Sequence, residues 1–397
     1  MSFIMNIRSV AKYESKILVR SWFFRIFTLL AVVFLGFFNF AMMLMEDNFG
    51  LWFAKSVSSN IPYLNLLLLN TGQAVVAVFL SSEFLKRDKK LDTFEVFYVR
   101  PLSNAEYVVG KIWGNLRVFL FLNLLVLAIV LAFNFMASGV TVDLPAYLVY
   151  FFLISIPTLI FIIGLSIFLM LLLKNQALTF ILLLGYIGLT LFYIQDKFYY
   201  LFDYMVYNLP LFKSTIVGFS NLELILNHRA IYFFAGLGFI FFTIFLFKRL
   251  PNARRSHYPW LFLSFCMFLL MVTAGFRHVR SILWEGEMRA LYTSINNKYV
   301  YEPKMAIDYY DISVEQKSET IRSVVGMEGT ALAASEVFIF CLNPGLRVEE
   351  VKDGEKSLNF KREEQILAVD FGRKIEKGDT ISFSVSYEAV SYTHLRA

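Results

Sequence analysis

Seven long apolar stretches, none of which contains a charged residue or a histidine, dominate the first 276 residues of the chain. They cover residues 26–44, 61–80, 118–137, 146–173, 177–194, 230–247 and 260–276. A helix needs about 20 apolar residues to cross the hydrocarbon core of a bilayer. Charged residues make up only 17% of the 397 residues, whereas a soluble domain carries roughly 25%. The sequence therefore predicts a polytopic α-helical membrane protein with seven spans, of which the last is the shortest.

Lysines and arginines are concentrated in alternate connecting segments. Five precede the first stretch, six lie in residues 81–115 and four lie in residues 248–259, whereas residues 138–145 contain none. Such residues are enriched beside spans on the cytoplasmic side of a membrane. We expect a multi-pass protein of the cell (inner) membrane with a cytoplasmic N-terminus, and seven spans then place everything after residue 276 outside the cytoplasm.

Residues 1–25 are predicted to form an amphipathic interfacial or cytoplasmic helix. Apolar residues of the first 20 positions fall near one side of such a helix, and Arg8, Lys12 and Lys16 fall on the other. Glu14 interrupts the apolar side. An ordinary basic cytoplasmic tail fits the same pattern about as well.

The polar residues of the stretches limit the possible functions. Ion-coupled carriers, proton relays and intramembrane proteases hold ionisable residues at membrane depth, and none lies within these stretches. Only mild polar groups are present in the second and third stretches, and we predict interhelical hydrogen bonds for them. They are Asn65, Asn70, Gln73, Asn123 and Asn134.

A nucleotide site is not expected. A phosphate-binding loop requires the pattern Gly-x-x-x-x-Gly-Lys-Ser/Thr, but the pair Gly110-Lys111 is followed by Ile112, and Ala105 stands where the first glycine should be. We therefore expect no bound cofactor. A transporter of this kind would need its energy from a separate protein.

The connecting segment 81–115 is the most informative one. Its first part, 83–99, mixes charged and large apolar residues and predicts a short amphipathic helix. Ser103 and Glu106 have the spacing of a capping box, so a second helix is predicted to begin there and to continue into the third span. By itself, such a loop is more typical of a solvated connector than of a docking site.

Along the chain, this segment contains an acidic residue, a basic cluster, a Thr-containing aromatic helix, a Pro-Leu-Ser turn and a Gly-Lys pair. These positions are Glu83, Arg87, Thr93, Phe94, Phe97, Tyr98, Pro101, Leu102, Ser103, Gly110 and Lys111. The order resembles the coupling region of the membrane subunits of type-2 ABC exporters. Asp92 precedes Thr93 where that family usually has Gly.

The resemblance covers residues 1–250 and implies a six-span permease domain at 26–250. Its loop 81–115 would contact a separate cytoplasmic ABC ATPase subunit, and residues 195–229 would form an outer re-entrant segment. The resemblance also implies a homodimer or heterodimer of permeases in the lipid bilayer, with no nucleic-acid partner. The predicted function is that of a membrane-spanning permease subunit of an ATP-driven exporter, which couples ATP hydrolysis by the separate ATPase to substrate movement.

The chain changes character after the seventh stretch. Residues 251–276 are predicted to form a cytoplasmic linker and the seventh span, and from residue 277 the composition is that of a soluble protein. Short alternating runs, with turns at Asp353-Gly354 and at 377–379, predict an extracytoplasmic antiparallel β-sandwich-like domain at 277–389. A helical or irregular lead-in is expected at 281–297.

The segment 342–348, together with Gly378-Asp379 and the ending Val385-x-Tyr387, resembles the N-terminal β-domain of gluzincin-type zinc aminopeptidases, a family that includes fusions to permeases. A generic extracellular β-domain fits nearly as well. The alternative function is therefore a membrane anchor for an extracytoplasmic zinc aminopeptidase whose catalytic part is missing from this chain.

Zinc peptidase chemistry requires two histidines one helical turn apart with a glutamate beside them. The four histidines lie outside any His-Glu-x-x-His motif and are interpreted as unrelated; they are His228, His257, His278 and His394. We expect no catalytic residue and no metal site in this chain, and the activity of the full-length gene product stays open. Residues 390–397 read like a translated sequencing adapter and are expected to be a scar.

Overall fold

A computed structural model describes residues 3–44, 57–82, 102–136, 141–209, 211, 213–214, 218–219, 221–247, 258–317 and 320–390. Within these residues, seven helices are long and apolar enough to cross a membrane. The predicted class, a multi-pass helical membrane protein with seven spans, is confirmed to that extent. The chain divides into two units, Met1–Val279 and Arg280–Ala397.

The described residues contain eight long helices and a short 3-10 helix at Phe198–Tyr200. The long helices are α1 (Phe3–Arg20), α2 (Trp22–Leu44), α3 (Asn60–Ser82), α4 (Asn104–Met136), α5 (Leu144–Leu173), α6 (Gln176–Ile194), α7 (Leu222–Leu246) and α8 (Tyr258–Lys298). The helices α2 to α8 correspond to the seven apolar stretches, and α1 is the predicted N-terminal amphipathic helix.

Three helices extend well beyond their apolar stretches. The helix α4 has 33 residues and begins at the predicted capping box, while α8 has 41 residues and includes the predicted lead-in, which is helical. The helix α7 begins at Leu222, so the last part of the predicted re-entrant segment 195–229 belongs to the helix of the sixth span. The added turns bring charged residues into the helices because an apolar run defines the buried core of a span but not the ends of its helix.

Close contacts between helices occur at glycines. A Cβ on Gly164 of α5 would lie 2.7 Å from the carbonyl oxygen of Gly236 in α7, and a Cβ on Gly236 would lie 2.7 Å from the backbone of Ile160. Small residues allow two helix backbones to approach in this way inside a membrane. The helices α5 and α7 are therefore packed backbone to backbone along this contact.

The second unit contains the predicted β-domain after the end of α8. Its strands are β3 (Met305–Lys317), β4 (Thr320–Ala331), β5 (Ser335–Cys341), β6 (Arg347–Asp353), β7 (Lys356–Ser357), β8 (Asn359–Glu363), β9 (Ile366–Ile375) and β10 (Thr380–Val390); two short strands of the first unit, β1 (Lys213–Ser214) and β2 (Gly218–Phe219), form a separate hairpin. The strands β3 to β10 form a five-stranded sheet of order β3-β4-β10-β6-β7 and a three-stranded sheet of order β5-β9-β8.

The two sheets of this unit share a hydrophobic core. Every strand pair is antiparallel, and the core combines residues such as Phe383 and Val351 of the larger sheet with Phe338 and Phe371 of the smaller one. The sequence predicted these strands because apolar residues alternate along them. The predicted antiparallel β-domain is thus confirmed, and its extracytoplasmic location stays a prediction.

Candidate functional site

The predicted coupling loop 81–115 lies only partly within the described residues. Seven of its eleven predicted site residues lie outside them: Glu83, Arg87, Thr93, Phe94, Phe97, Tyr98 and Pro101. Of the remaining four, Leu102 and Ser103 directly precede α4, and Gly110 and Lys111 lie in its first turns. The first turns of α4 contact the N-terminal helix α1.

The first turn of α4 is closed by the predicted capping box. The backbone N–H of Ser103 donates to Glu106 Oε2 at 2.6 Å, and the backbone N–H of Glu106 donates to Ser103 Oγ at 3.2 Å. Asn6 of α1 also donates to Glu106 Oε1 at 2.9 Å. The cap therefore starts α4 inside the predicted loop and also links α4 to the N-terminal helix.

One turn further along α4, a buried ion pair joins the same two helices. Lys111 Nζ lies 2.9 Å from Glu14 Oε1, and both side chains are at most 4% exposed. The ammonium group of Lys111 also lies 5.1 Å from the ring centre of Tyr107. Glu14, which interrupts the apolar side of α1 in the sequence, is therefore the partner of one of the predicted loop residues.

Two glycines make this contact close. A Cβ on Gly110 would lie 2.7 Å from the Val10 Cβ, and a Cβ on Gly114 would lie 2.6 Å from the Glu14 Cβ. Arg117 continues the contact by donating from Nη2 to the carbonyl oxygen of Ala11 at 2.7 Å. We call the paired surfaces of α1 and α4, from Asn6 and Glu106 to Ser15 and Arg117, the α1–α4 clamp.

A second polar cluster lies between three spans. Asn123 of α4 donates to Gln73 Oε1 at 2.9 Å and accepts from Asn70 of α3 at 3.2 Å and from Ser155 of α5 at 2.8 Å. Gln73 donates to Asn70 Oδ1 at 2.6 Å, which closes the ring. All four side chains are fully buried. We call this set the amide ring.

The other predicted polar residues also bond between helices. Asn39 of α2 and Asn65 of α3 exchange two hydrogen bonds, of 2.7 and 3.1 Å, and Asn134 of α4 donates to the hydroxyl of Tyr147 in α5 at 3.0 Å. The predicted role of these residues in interhelical hydrogen bonding is confirmed. In an apolar surrounding, such bonds favour one arrangement of the spans over others.

The connection between α6 and α7 enters the helix bundle. The hydroxyl of Tyr207 forms a hydrogen bond with that of Thr71, which lies in the middle of α3. The carbonyl oxygen of Tyr204 accepts a hydrogen bond from Thr158 of α5 at 3.3 Å. Tyr204 is fully buried, as is Asp203. We call the described residues between 199 and 213 the inserted segment.

A buried arginine of α7 holds the inserted segment. Arg229 donates from Nη1 to the carbonyl oxygen of Tyr204 at 2.9 Å, from Nη2 to Thr158 Oγ1 at 2.9 Å and from Nε to the carbonyl oxygen of Leu153 at 2.7 Å. Pro157 has no N–H to donate to the Leu153 carbonyl four residues earlier. The proline thus leaves an acceptor in α5, next to a π-helical turn at Phe151–Ser155, and Arg229 uses it.

Asp203 is the buried acid of the inserted segment. Its Oδ2 accepts the backbone N–H of Asn208 at 2.8 Å, while its Oδ1 has no hydrogen-bond partner among the described residues. Burial raises the pKa of Asp203 above its ordinary value, and backbone hydrogen bonds and the charge of Arg229 oppose that rise. The side chain therefore favours the neutral acid more than an exposed aspartate does.

Two histidines bind consecutive carbonyl groups of the same connection. His228 Nε2 lies 3.0 Å from the carbonyl oxygen of Tyr200, and His278 Nε2 lies 2.8 Å from that of Tyr199. Both tyrosines have left-handed backbone angles, with φ of 62° and 58°, which cost about 1–2 kcal/mol per residue outside glycine. The two imidazole rings lie 5.1 Å apart.

The interpretation of the four histidines as unrelated is therefore wrong for His228 and His278. Sequence spacing could not bring them together, because they belong to α7 and α8 and meet only through the packing of those helices. His257 and His394 lie outside the described residues. Within the part of the chain that the structure describes, no group of three or more potential ligands could hold a metal ion.

No protein-family model matches the chain, and no curated protein is significantly similar to it. The geometry of the α1–α4 clamp, the amide ring and the inserted segment therefore has to support any functional assignment by itself.

Proposed function

We propose that the chain is the membrane-spanning permease subunit of an ATP-driven exporter, which moves substrate when a separate cytoplasmic ABC ATPase hydrolyses ATP. The observation that carries the proposal is the α1–α4 clamp. The helix α4 begins inside the predicted loop 81–115, at Asn104, and its first turns are joined to α1 by a buried ion pair and two close glycine contacts. A displacement of the loop would therefore move α1 and the third span together.

The amide ring supports the same mechanism. It joins α4 to α3 and α5 through hydrogen bonds between fully buried side chains, so motion of α4 passes to two neighbouring spans. Interhelical hydrogen bonds in membranes are of moderate strength, about 0.6 kcal/mol on average. A ring of such bonds orients the spans and still permits them to rearrange during transport.

The inserted segment supplies the third element of the proposal. Non-helical backbone at membrane depth is tolerated where it is buried in protein or lines a cavity, and transporters use such segments near their substrate pathways. Its position among α3, α5 and α7 makes it the element that would close one side of the pathway. A homodimer or heterodimer of permeases would complete the transporter.

The experiment is co-expression with an ABC ATPase encoded next to this chain, followed by co-purification and ATPase assay in proteoliposomes. Replacement of Phe94, Phe97 and Tyr98 by Ser should abolish co-purification, while the helices remain folded by circular dichroism. The matched control replaces exposed aromatic residues of the β-domain, Tyr309 and Tyr310, by Ser. Co-purification of the ATPase with the loop variant at wild-type yield would show that the assignment is wrong.

A further inference from the structure

Four basic residues lie in a row along α1, on the side of the helix that does not contact α4. Arg8, Lys12, Lys16 and Arg20 are spaced four residues apart and are exposed. At 3.6 residues per turn this spacing places them along one side of the helix. The residues that α1 buries, Ala11, Glu14 and Leu18, lie on the opposite side. We call the four residues the basic row.

The basic row has no acidic partner in the described part of the chain. None of its members forms an ion pair or a side-chain hydrogen bond there, whereas Glu14, the one acidic residue of α1, is turned inward to Lys111. The exposed side of α1 therefore carries four positive charges and no compensating negative charge. Such a surface attracts a multivalent anion.

The surroundings of the basic row identify that anion as a lipid surface. Three apolar side chains lie on the same side of the helix, and Met5, Tyr13 and Val19 are each about half exposed or more (50, 56 and 49%). Basic and apolar side chains mixed on one face are the composition of a helix at the headgroup level of a bilayer. A membrane surface offers anionic phosphates next to an apolar layer, which suits both kinds of side chain.

The helix α1 is joined almost directly to a membrane span, which places it at the level of the lipid headgroups. A single residue, Ser21, separates α1 from α2, a candidate span that begins with the exposed side chain of Trp22. Tryptophan is enriched where a span meets the headgroups. The helix α1 therefore lies within one turn of the end of a membrane span, where phosphate groups are available to Arg8, Lys12, Lys16 and Arg20.

We propose that α1 binds the headgroups of anionic phospholipids through the basic row, and that this contact stabilises α1 in the α1–α4 clamp. The lipid phosphates neutralise one side of α1 while Glu14 and Lys111 hold the other side against α4. Anionic lipid would thereby strengthen the position of α1 without touching the spans. The proposal does not depend on a transport function.

The test uses the full chain in nanodiscs of phosphatidylcholine with or without phosphatidylglycerol. Hydrogen exchange of α1 and the number of phosphatidylglycerol molecules retained in native mass spectrometry are measured for the wild type and for R8Q/K12Q/K16Q/R20Q. Phosphatidylglycerol should slow exchange of α1 in the wild type, and the variant should lose the lipid preference by about tenfold or more, since each basic residue near an anionic surface contributes to binding.

Two controls separate charge at the basic row from other effects. The variant R8K/R20K should keep the preference, because the charges remain. R347Q/K356Q/K361Q/K377Q removes four exposed positive charges from the β-domain and should also keep it.

Three results would overturn the proposal. The first is that R8Q/K12Q/K16Q/R20Q prefers phosphatidylglycerol as strongly as the wild type does. The second is that the β-domain control loses this lipid preference to the same extent. The third is that the α1 variant keeps its lipid preference but no longer co-purifies with the ATPase. The last result would assign the basic row to a protein partner. If the loop variant at Phe94, Phe97 and Tyr98 still co-purifies with the ATPase, the proposed transport function is wrong. The lipid measurement on α1 is independent of that result, so the two proposals can be refuted separately.

Discussion

Removal of one partner of the Glu14–Lys111 ion pair should release α1 from α4. The two charges are 2.9 Å apart and almost fully buried, so their gross attraction is about 6 kcal/mol at an effective dielectric constant of about 20. Desolvation of both groups offsets much of that attraction. The variant Lys111→Met removes the ammonium group and keeps the buried carboxylate, and breaking a buried pair in this way costs about 3–5 kcal/mol.

Hydrogen exchange of the α1 backbone, measured by mass spectrometry on the full chain in lipid nanodiscs, reports this cost directly. If α1 exchanges through release from α4, a loss of 3–5 kcal/mol raises its exchange rate by roughly 150- to 4000-fold, up to the limit of an unprotected helix. The double variant Glu14→Met/Lys111→Met replaces the pair by apolar side chains of similar length. It should return the exchange rate close to that of the wild type, because the carboxylate and the ammonium group are removed together.

The exposed pair Arg277–Glu223 provides the matched control. Its N–O distance is also 2.9 Å, but the side chains are 60 and 68% exposed, so Arg277→Met should change the exchange of its own helix very little. A wild-type exchange rate of α1 in Lys111→Met would refute the argument. So would a double variant that exchanges as fast as the single one, because the cost would then come from lost packing and not from the buried charge.

Three other substitutions test the remaining contacts through the apparent Tm in nanodiscs. Gly114→Val should lower the apparent Tm by several degrees, because a Cβ at Gly114 would lie 2.6 Å from the Cβ of Glu14. The control Gly36→Ala should leave the Tm unchanged or slightly higher, because a Cβ at Gly36 would meet nothing within 4 Å. An unchanged Tm in Gly114→Val would contradict the close packing of α1 and α4. Asn123→Leu should cost about 1–3 kcal/mol, because it leaves buried partners in the amide ring without hydrogen bonds; an unchanged Tm would show that the ring contributes nothing to stability. Burial raises the pKa of Asp203, so above the ordinary pKa of an aspartate the folded state binds more protons than the unfolded state and stability falls as pH rises through the folded pKa. Asp203→Asn should remove this decline above about pH 4, the ordinary pKa of an aspartate, and an identical pH profile would show that the group does not titrate in this way.

The features predicted from the sequence are those that a local pattern determines. The seven apolar stretches, the alternating strands and the capping box of Ser103 and Glu106 each depend on residues close together in the chain. The interhelical hydrogen bonds of Asn70 and Asn123 were also predictable, because a buried amide in an apolar span requires a partner. Which partner each amide would find depended on packing and was not predictable.

The buried charges were not predicted because each depends on a partner far away in the chain. In the sequence, Glu14 only interrupts the apolar side of a helix. Its partner Lys111 lies about 100 residues later in the chain, so the ion pair depends on how the helices pack. Arg229 is the last residue of the predicted re-entrant segment 195–229 and directly precedes the apolar stretch 230–247. One signal was present: Pro157 in the middle of the fourth stretch leaves a carbonyl group without its helical donor, and a nearby arginine can supply one.

The inserted segment shows a consistent division of roles between backbone and side chains. Its carbonyl groups accept from side chains of the surrounding helices: Ser59 to Lys213, Tyr150 to Leu211, Arg229 to Tyr204, His228 to Tyr200 and His278 to Tyr199. Backbone turns within the segment satisfy only some of its acceptors, for example Asp203 N–H to the Tyr200 carbonyl oxygen, so the surrounding helices supply further donors. The position of the segment is therefore encoded both in the donor residues of the helices and in its own buried side chains. These are Asp203, Tyr204, Met205, Val206, Leu209 and Leu211. A segment held by separate hydrogen bonds from several helices responds to the movement of each of them, which is the property required of an element that opens and closes a pathway.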